Sequence, residues 1–87
     1  MRKYTYWENL QDGHNKFWAA QILEESRKIQ TVDGKLTKLF FILVRKWGKI
    51  GTAGQTMAQT FNNKQEAEQI LHRLIWDKEN KGYKGVF

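Results

Sequence analysis

Two stretches of this chain, residues 17–25 and 39–47, carry apolar side chains on both faces of an extended backbone, and between them stands the pair Asp33-Gly34. In the first, Trp18, Ala20 and Ile22 oppose Phe17, Ala19 and Leu23; in the second, Leu39, Phe41 and Leu43 oppose Phe40, Ile42 and Val44. A strand that is apolar on both sides belongs in the middle of a sheet, not at its edge. Asp-Gly is a strong hairpin signal, so the two strands are expected to pair antiparallel, through a polar connection at residues 26–38 formed by a twisted extension of both. Residues 4–8 read as a short aromatic strand, with Tyr4 and Tyr6 on one face and Thr5 and Trp7 on the other. Residues 9–15 form a turn, and Gln55–Phe61 is a fourth, more polar strand.

The helix signal follows immediately. Asn63 is placed as N-cap with Glu66 three residues on, and Ala67, Ile70, Leu71, Leu74 and Ile75 fall on one helical stripe. Lys78 and Lys81 favour the last-turn dipole, and Gly82 supplies a left-handed terminator. Trp76 lies off the stripe near His72 and Arg73, where it is expected to pack beneath Tyr4, Tyr6 or Trp7, or else to meet a partner. The expected architecture is α+β: a small, mostly antiparallel sheet of about four strands with one long C-terminal helix packed on it. Eighty-seven residues allow one domain, spanning 1–87. With neither cysteine nor proline, that domain rests on packing alone, and large side chains supply it, since 14% of residues are aromatic.

The functional signal sits where the apolar strand stops. Arg45-Lys46-Trp47-Gly48-Lys49 is followed by Gly51, Gly54 and Gln55, so three cations surround an indole in a glycine-punctuated turn. The glycines allow positive φ and close approach to a partner, a setting suited to a phosphate with a sugar or base beside it. The alternative reading makes Trp47 a core residue at a strand end and the glycines a tight connection. Fifteen basic against nine acidic residues give a net charge of +6, which favours a polyanionic partner.

Catalysis has little support. The one serine, Ser26, and the two histidines, His14 and His72, assemble no nucleophile and base, and Glu24-Glu25 have no companion ligands for a metal. The glycine turn is neither a P-loop nor a dinucleotide fingerprint. No enzyme activity, cofactor or metal is therefore expected. The N-terminus lacks the apolar core of a signal peptide and the apolar run at residues 39–44 is too short to span a membrane, so an intracellular location and no membrane partner are expected.

Trp47-Gly48-Lys49-Ile50-Gly51-Thr52 with Gly54-Gln55, followed in order by Phe61, Ala67, Lys78 and Lys81-Gly82-Tyr83, resembles the WGR domain, over residues 16–83. That family takes its name from a Trp-Gly-Arg motif and occurs in DNA-dependent poly(ADP-ribose) polymerases and in bacterial proteins. The third motif residue is Lys49 here, which keeps the charge and loses the planar guanidinium fork. The resemblance implies a nucleic-acid-binding module for DNA ends or nicks, with Trp47 stacking on a terminal nucleotide, Lys49 on a phosphate or a neighbouring domain, and Tyr83 as a phosphate ligand. Arg45, Lys46, Lys81 and Lys84 are the nearest further cations, Lys81 and Lys84 serving equally as charges at the helix end. The alternative is a protein-interaction or accessory module, working as part of a larger parent protein. A monomer is the default expectation.

Overall fold

The computed structural model describes residues 5–86 of the chain. Five strands form one antiparallel sheet: β1 (Tyr6–Asn9), β2 (Lys16–Thr31), β3 (Gly34–Lys49), β4 (Gln55–Phe61) and β5 (Lys84–Gly85), with a single helix, α1 (Lys64–Asn80), between β4 and β5. The spatial order β4-β3-β2-β1-β5 puts the two doubly apolar strands inside, as their pattern requires. The sheet thus has five strands where about four were expected. The extra one is two residues long and follows the helix, too short to leave a periodic signal.

Alternation decides the core. Trp7 on β1, Trp18 and Ala20 on β2, Leu43 on β3 and Phe61 on β4 turn to the same face, and Ala67, Leu71 and Ile75 of α1 lie against them. Trp7 and Leu43 are essentially inaccessible, and the Trp7 and Trp18 rings meet at 5.1 Å between centroids, tilted by 53°. The helix stripe read from the sequence is the buried one, with Ile70 and Leu74 packed at its margins. Asn63 caps it through Oδ1, which accepts from the backbone N–H groups of Gln65 (2.8 Å) and Glu66 (3.3 Å).

The polar connection between the central strands is the expected extension of both: the ladder runs without a break from Lys16 opposite Lys49 to Thr31 opposite Gly34. Its turn centres on Val32 and Asp33, and Gly34 closes it at φ 130° while accepting from the Thr31 hydroxyl (2.8 Å). Beyond the pairing of Glu24 with Phe41 this hairpin has no neighbouring strand among the described residues, so it projects as a bare ribbon, and with the ribbon included the extents are 59 × 25 × 18 Å. The departure from expectation is Trp76, which is 68% exposed and does not pack beneath the described part of the N-terminal strand; Trp7 instead faces Trp18, and Tyr4 lies outside the described residues.

α1 covers only one face of the sheet. On the other, Tyr6 stacks on Phe17 (5.8 Å, 11°), and Leu23, Phe40, Ile42 and Val44 remain partly or largely accessible. The doubly apolar pattern placed the strands centrally; it did not bring a second layer.

Candidate functional site

At the base of the long hairpin, β3 delivers Trp47 to the helix-covered face, in phase with Arg45 and Leu43 and directly opposite Trp18. The indole packs against the core and keeps part of its surface accessible. It is anchored by the core on one side and open to solvent on the other. Trp47 and Lys78 border two adjoining depressions. One, of about 610 Å³, is lined by His14, Asn15, Lys16, Lys49 and Tyr83 as well; the other, of about 280 Å³, by Trp18, Arg45, Leu74, Asp77 and Lys81.

The turn after Trp47 is built for internal fit. Lys49 O accepts from the backbone N–H of Thr52 (3.1 Å) and from its hydroxyl (2.7 Å), and Gly51 takes φ 90° at the position of the turn that demands it. A methyl group on Gly54 would collide with the Trp47 carbonyl oxygen and come within 2.8 Å of the Phe17 ring, and one on Gly48 would lie 2.8 Å from Gly54 Cα. Gly48 and Gly54 thus pack backbone against backbone beside Phe17. Their smallness serves the chain itself, as the tight-connection reading holds, while Gly51 faces open space. Ile50 N–H donates to Asn15 O (3.0 Å), tying the turn to the loop that carries His14 and Lys16.

The third wall comes from the end of α1. Lys78 O accepts from the N–H groups of Lys81 (3.0 Å) and Tyr83 (3.1 Å), and Glu79 O from that of Gly82 (3.2 Å), whose φ of 101° reverses the chain. Buried Asn9 fastens this reversal to β1: its Nδ2 donates to Lys81 O (3.2 Å) and its Oδ1 accepts from Gln11 N–H (3.0 Å). Trp7 Nε1 donates to Glu79 Oε2 (3.1 Å) and holds the helix end from the core side. The result brings the Tyr83 ring beside Lys78, with Nζ 5.2 Å from the ring centroid.

Positive charge is crowded here. Lys16 and Lys49 stand directly opposite each other across the β2–β3 ladder, a like-charge pairing that costs stability. Burial pushes the Lys78 ammonium below its ordinary value, and the charges of Lys81, Arg45 and Lys16 push it further, with Asp77 opposing. Among the described residues the ion pair within 4 Å is Arg27 with Glu25, at the start of the ribbon and away from Trp47, so the groove cations have no carboxylate in salt-bridge contact. Arg45 extends Nη2 to the Met57 sulfur (2.9 Å), and its buried Nε has no hydrogen-bond partner. Crowded cations without carboxylate partners cost stability.

Of the residues singled out from the sequence, the structure gathers Arg45, Trp47, Lys49, Lys81 and Tyr83 around one groove. Gln55 pairs with Trp47 on the neighbouring strand and is exposed. Lys46 is carried by strand alternation to the opposite face, near Tyr6, Ala19 and Val44. Lys84 lies on β5 opposite Glu8, beside Leu10 and Gln11. Lys16, a cation that the sequence offers to the patch without placing it relative to Trp47, joins the groove, and Lys78 and His14 complete it without having been assigned to it. Lys78 reads in sequence as a helix-end charge, and the clue to its second role is its proximity to Gly82, which folds Tyr83 back onto it. No group of three His, Cys, Asp or Glu side chains able to hold a metal occurs among the described residues, and no helix there is long and apolar enough to cross a membrane.

The WGR domain family matches residues 1–86. Among curated proteins, an uncharacterised protein of Sinorhizobium fredii designated y4dW is 40% identical over 42 residues, covering 48% of this chain and 21% of its own length. The chain therefore spans about a fifth of that relative. No solved structure matches.

Proposed function

The chain belongs to the WGR family, whose domains are non-catalytic modules that generally bind nucleic acid, and from that premise we propose that it recognises DNA ends or nicks through the Trp47 groove. The observation that carries this reading is a half-buried indole bordered by Lys16, Arg45, Lys49, Lys78 and Lys81, with no carboxylate pairing to those cations among the described residues. A strand break exposes what an intact duplex hides, the face of a terminal base or sugar. Trp47 offers a rigid platform for it, worth about 1–3 kcal/mol per stacked base and indifferent to sequence. The lysines take the flanking phosphates, Tyr83 donates its hydroxyl to one of them, and Arg45, whose Nε is buried, adds positive charge beneath them. Lys46 and Lys84, on other surfaces, take no part in this grip.

Recognition of this kind reads structure and not sequence, and its affinity depends on salt. Engagement of four or five phosphates predicts a slope of log K against log salt of about −3.6 to −4.5. The test is titration of a labelled nicked duplex and its intact circular counterpart at two salt concentrations, with Trp47→Ala alongside. Preference for the nick, lost in the variant, supports break recognition. Equal binding to both substrates that disappears with salt reduces the interaction to charge alone.

One observation favours a second reading. Trp76 is 68% exposed on the helix, and an indole so placed suits a protein contact. In that case Trp76→Ala abolishes capture of a protein partner and leaves DNA binding intact.

A further inference from the structure

The two edges of the sheet are made differently. One ends in β5, two residues long and carrying Lys84, which is how natural sheets discourage further pairing. The other ends in β4, whose seven residues pair without a bulge to β3 on one side and to nothing on the other among the described residues. Six of the seven are exposed. The strand itself has no charge, no proline and no glycine, and no covering element lies over it among the described residues.

The missing charge is the informative part. In a chain of which 28% of residues are charged, residues 50–63 contain no Lys, Arg, Asp or Glu, and this neutral run coincides with the open edge. Two molecules of net charge +6 repel each other; a neutral edge is where they approach at least cost. The strand also complements itself. Antiparallel pairing of all seven residues with a second copy centres on Ala58, which meets its own counterpart, and sets Thr56 against Thr60 and Met57 against Gln59. No like charges face each other, the axis holds a small side chain, and cross-strand threonine pairs are favourable.

We propose that β4 is a docking edge for a second copy of this chain, giving a two-fold dimer with one continuous ten-stranded sheet. Pairing centred on Ala58 keeps both α1 helices, and so both Trp47 grooves, on the same face of that sheet. The dimer presents two grooves to one side, an arrangement for holding two strand termini at once. A seven-residue edge buries less surface than a standard interface, so association is weak, with a dissociation constant on the order of 10–100 μM.

Sedimentation velocity on nuclease-treated protein, from about 5 to about 500 μM, brackets that constant. Wild-type protein is expected to pass from monomer to dimer. Ala58→Lys and Ala58→Glu, each placing like charges across the axis, stay monomeric alone and form a heterodimer when mixed. Amide exchange of Gln55–Phe61 in the wild type slows with concentration, a readout that needs no variant. A wild type that remains monomeric throughout, β4 amides indifferent to concentration, or a dimer that Ala58→Lys leaves intact overturns the proposal.

Discussion

The two ends of the β2–β3 hairpin share one hydrogen-bond ladder and have opposite characters. At the base, Trp18, Ala20 and Leu43 are buried beneath α1, β1 and β4 flank the pair, and Trp47 is held against the core. Toward the turn, Ile29, Leu36 and Leu39 are 36–57% exposed on a ribbon with no third strand. The backbone pairing is the same at both ends, so it is not what separates them. What differs is cover: a strand pair becomes a rigid platform only where another layer removes its side chains from water, because a two-stranded ribbon alone is marginal.

The largest effect expected from this contrast is on stability. Leu43→Ala at the base leaves a cavity and costs about 2–5 kcal/mol, whereas Leu36→Ala on the ribbon costs about 0.5 kcal/mol or less. Urea denaturation of both variants measures the ratio, and equal losses break the comparison. Next comes Trp47→Ala, which removes stacking worth about 1–3 kcal/mol and lowers affinity for a nicked duplex by about 5- to 150-fold. An indole that contributed only to packing would lower the melting temperature and leave affinity at saturating folded protein unchanged.

Lys78→Gln sharpens the electrostatic side of the contrast. It reduces the salt slope for DNA binding by about one and weakens binding uniformly across sequences. At low ionic strength it is expected to raise thermal stability slightly, because it removes a desolvated cation crowded by Lys81, Arg45 and Lys16. The pH dependence has a definite sign. Lys78 loses its proton more readily when folded, so between its lowered value and the ordinary 10.5 the unfolded chain binds more protons, and stability rises with pH in that window. Below the window the cost is present in full. Lys78→Gln abolishes this gain, as melting curves on the alkaline side measure.

The smallest effect belongs to the ribbon. Replacing residues 27–38 by an Asn-Gly turn is expected to leave nick affinity unchanged and to shift stability by about 1 kcal/mol or less, since the excised part buries little. A large loss of affinity would give the ribbon a place in the interface and erase the functional difference between the two ends.

Much of the fold was legible along the chain. Asn63, the stripe from Ala67 to Ile75 and Gly82 mark a helix because capping and the 3.6-residue period are local properties. β2 and β3 were recognisable by their two apolar faces, and Asp33-Gly34 marked the hairpin as an extension of both, although the polar ribbon, lacking a covered face, gave no clean alternation from which to read its strand bounds. Half of the candidate site was equally visible, since Arg45, Trp47 and Lys49 sit within five residues. The rest was not. Lys16 comes from the start of β2 and Lys78 from the end of α1, and nothing in their neighbourhoods announces that pairing registers and a helix reversal bring them to one indole. Trp76 misled for the same reason: helical phase placed it off the stripe, and only packing decided that it stays 68% exposed.

The sequence by itself determined the elements, the hairpin joining β2 to β3, the helix cap and terminator, and the basic Trp-Gly-Lys turn, because each depends on residues a few positions apart. The tertiary structure decided which face of a doubly apolar sheet the helix covers, that Gly48 and Gly54 pack on each other, and which lysines crowd Trp47. Those outcomes depend on contacts between segments distant in the chain, where strand register and the seating of α1, not local preference, set what lies beside what.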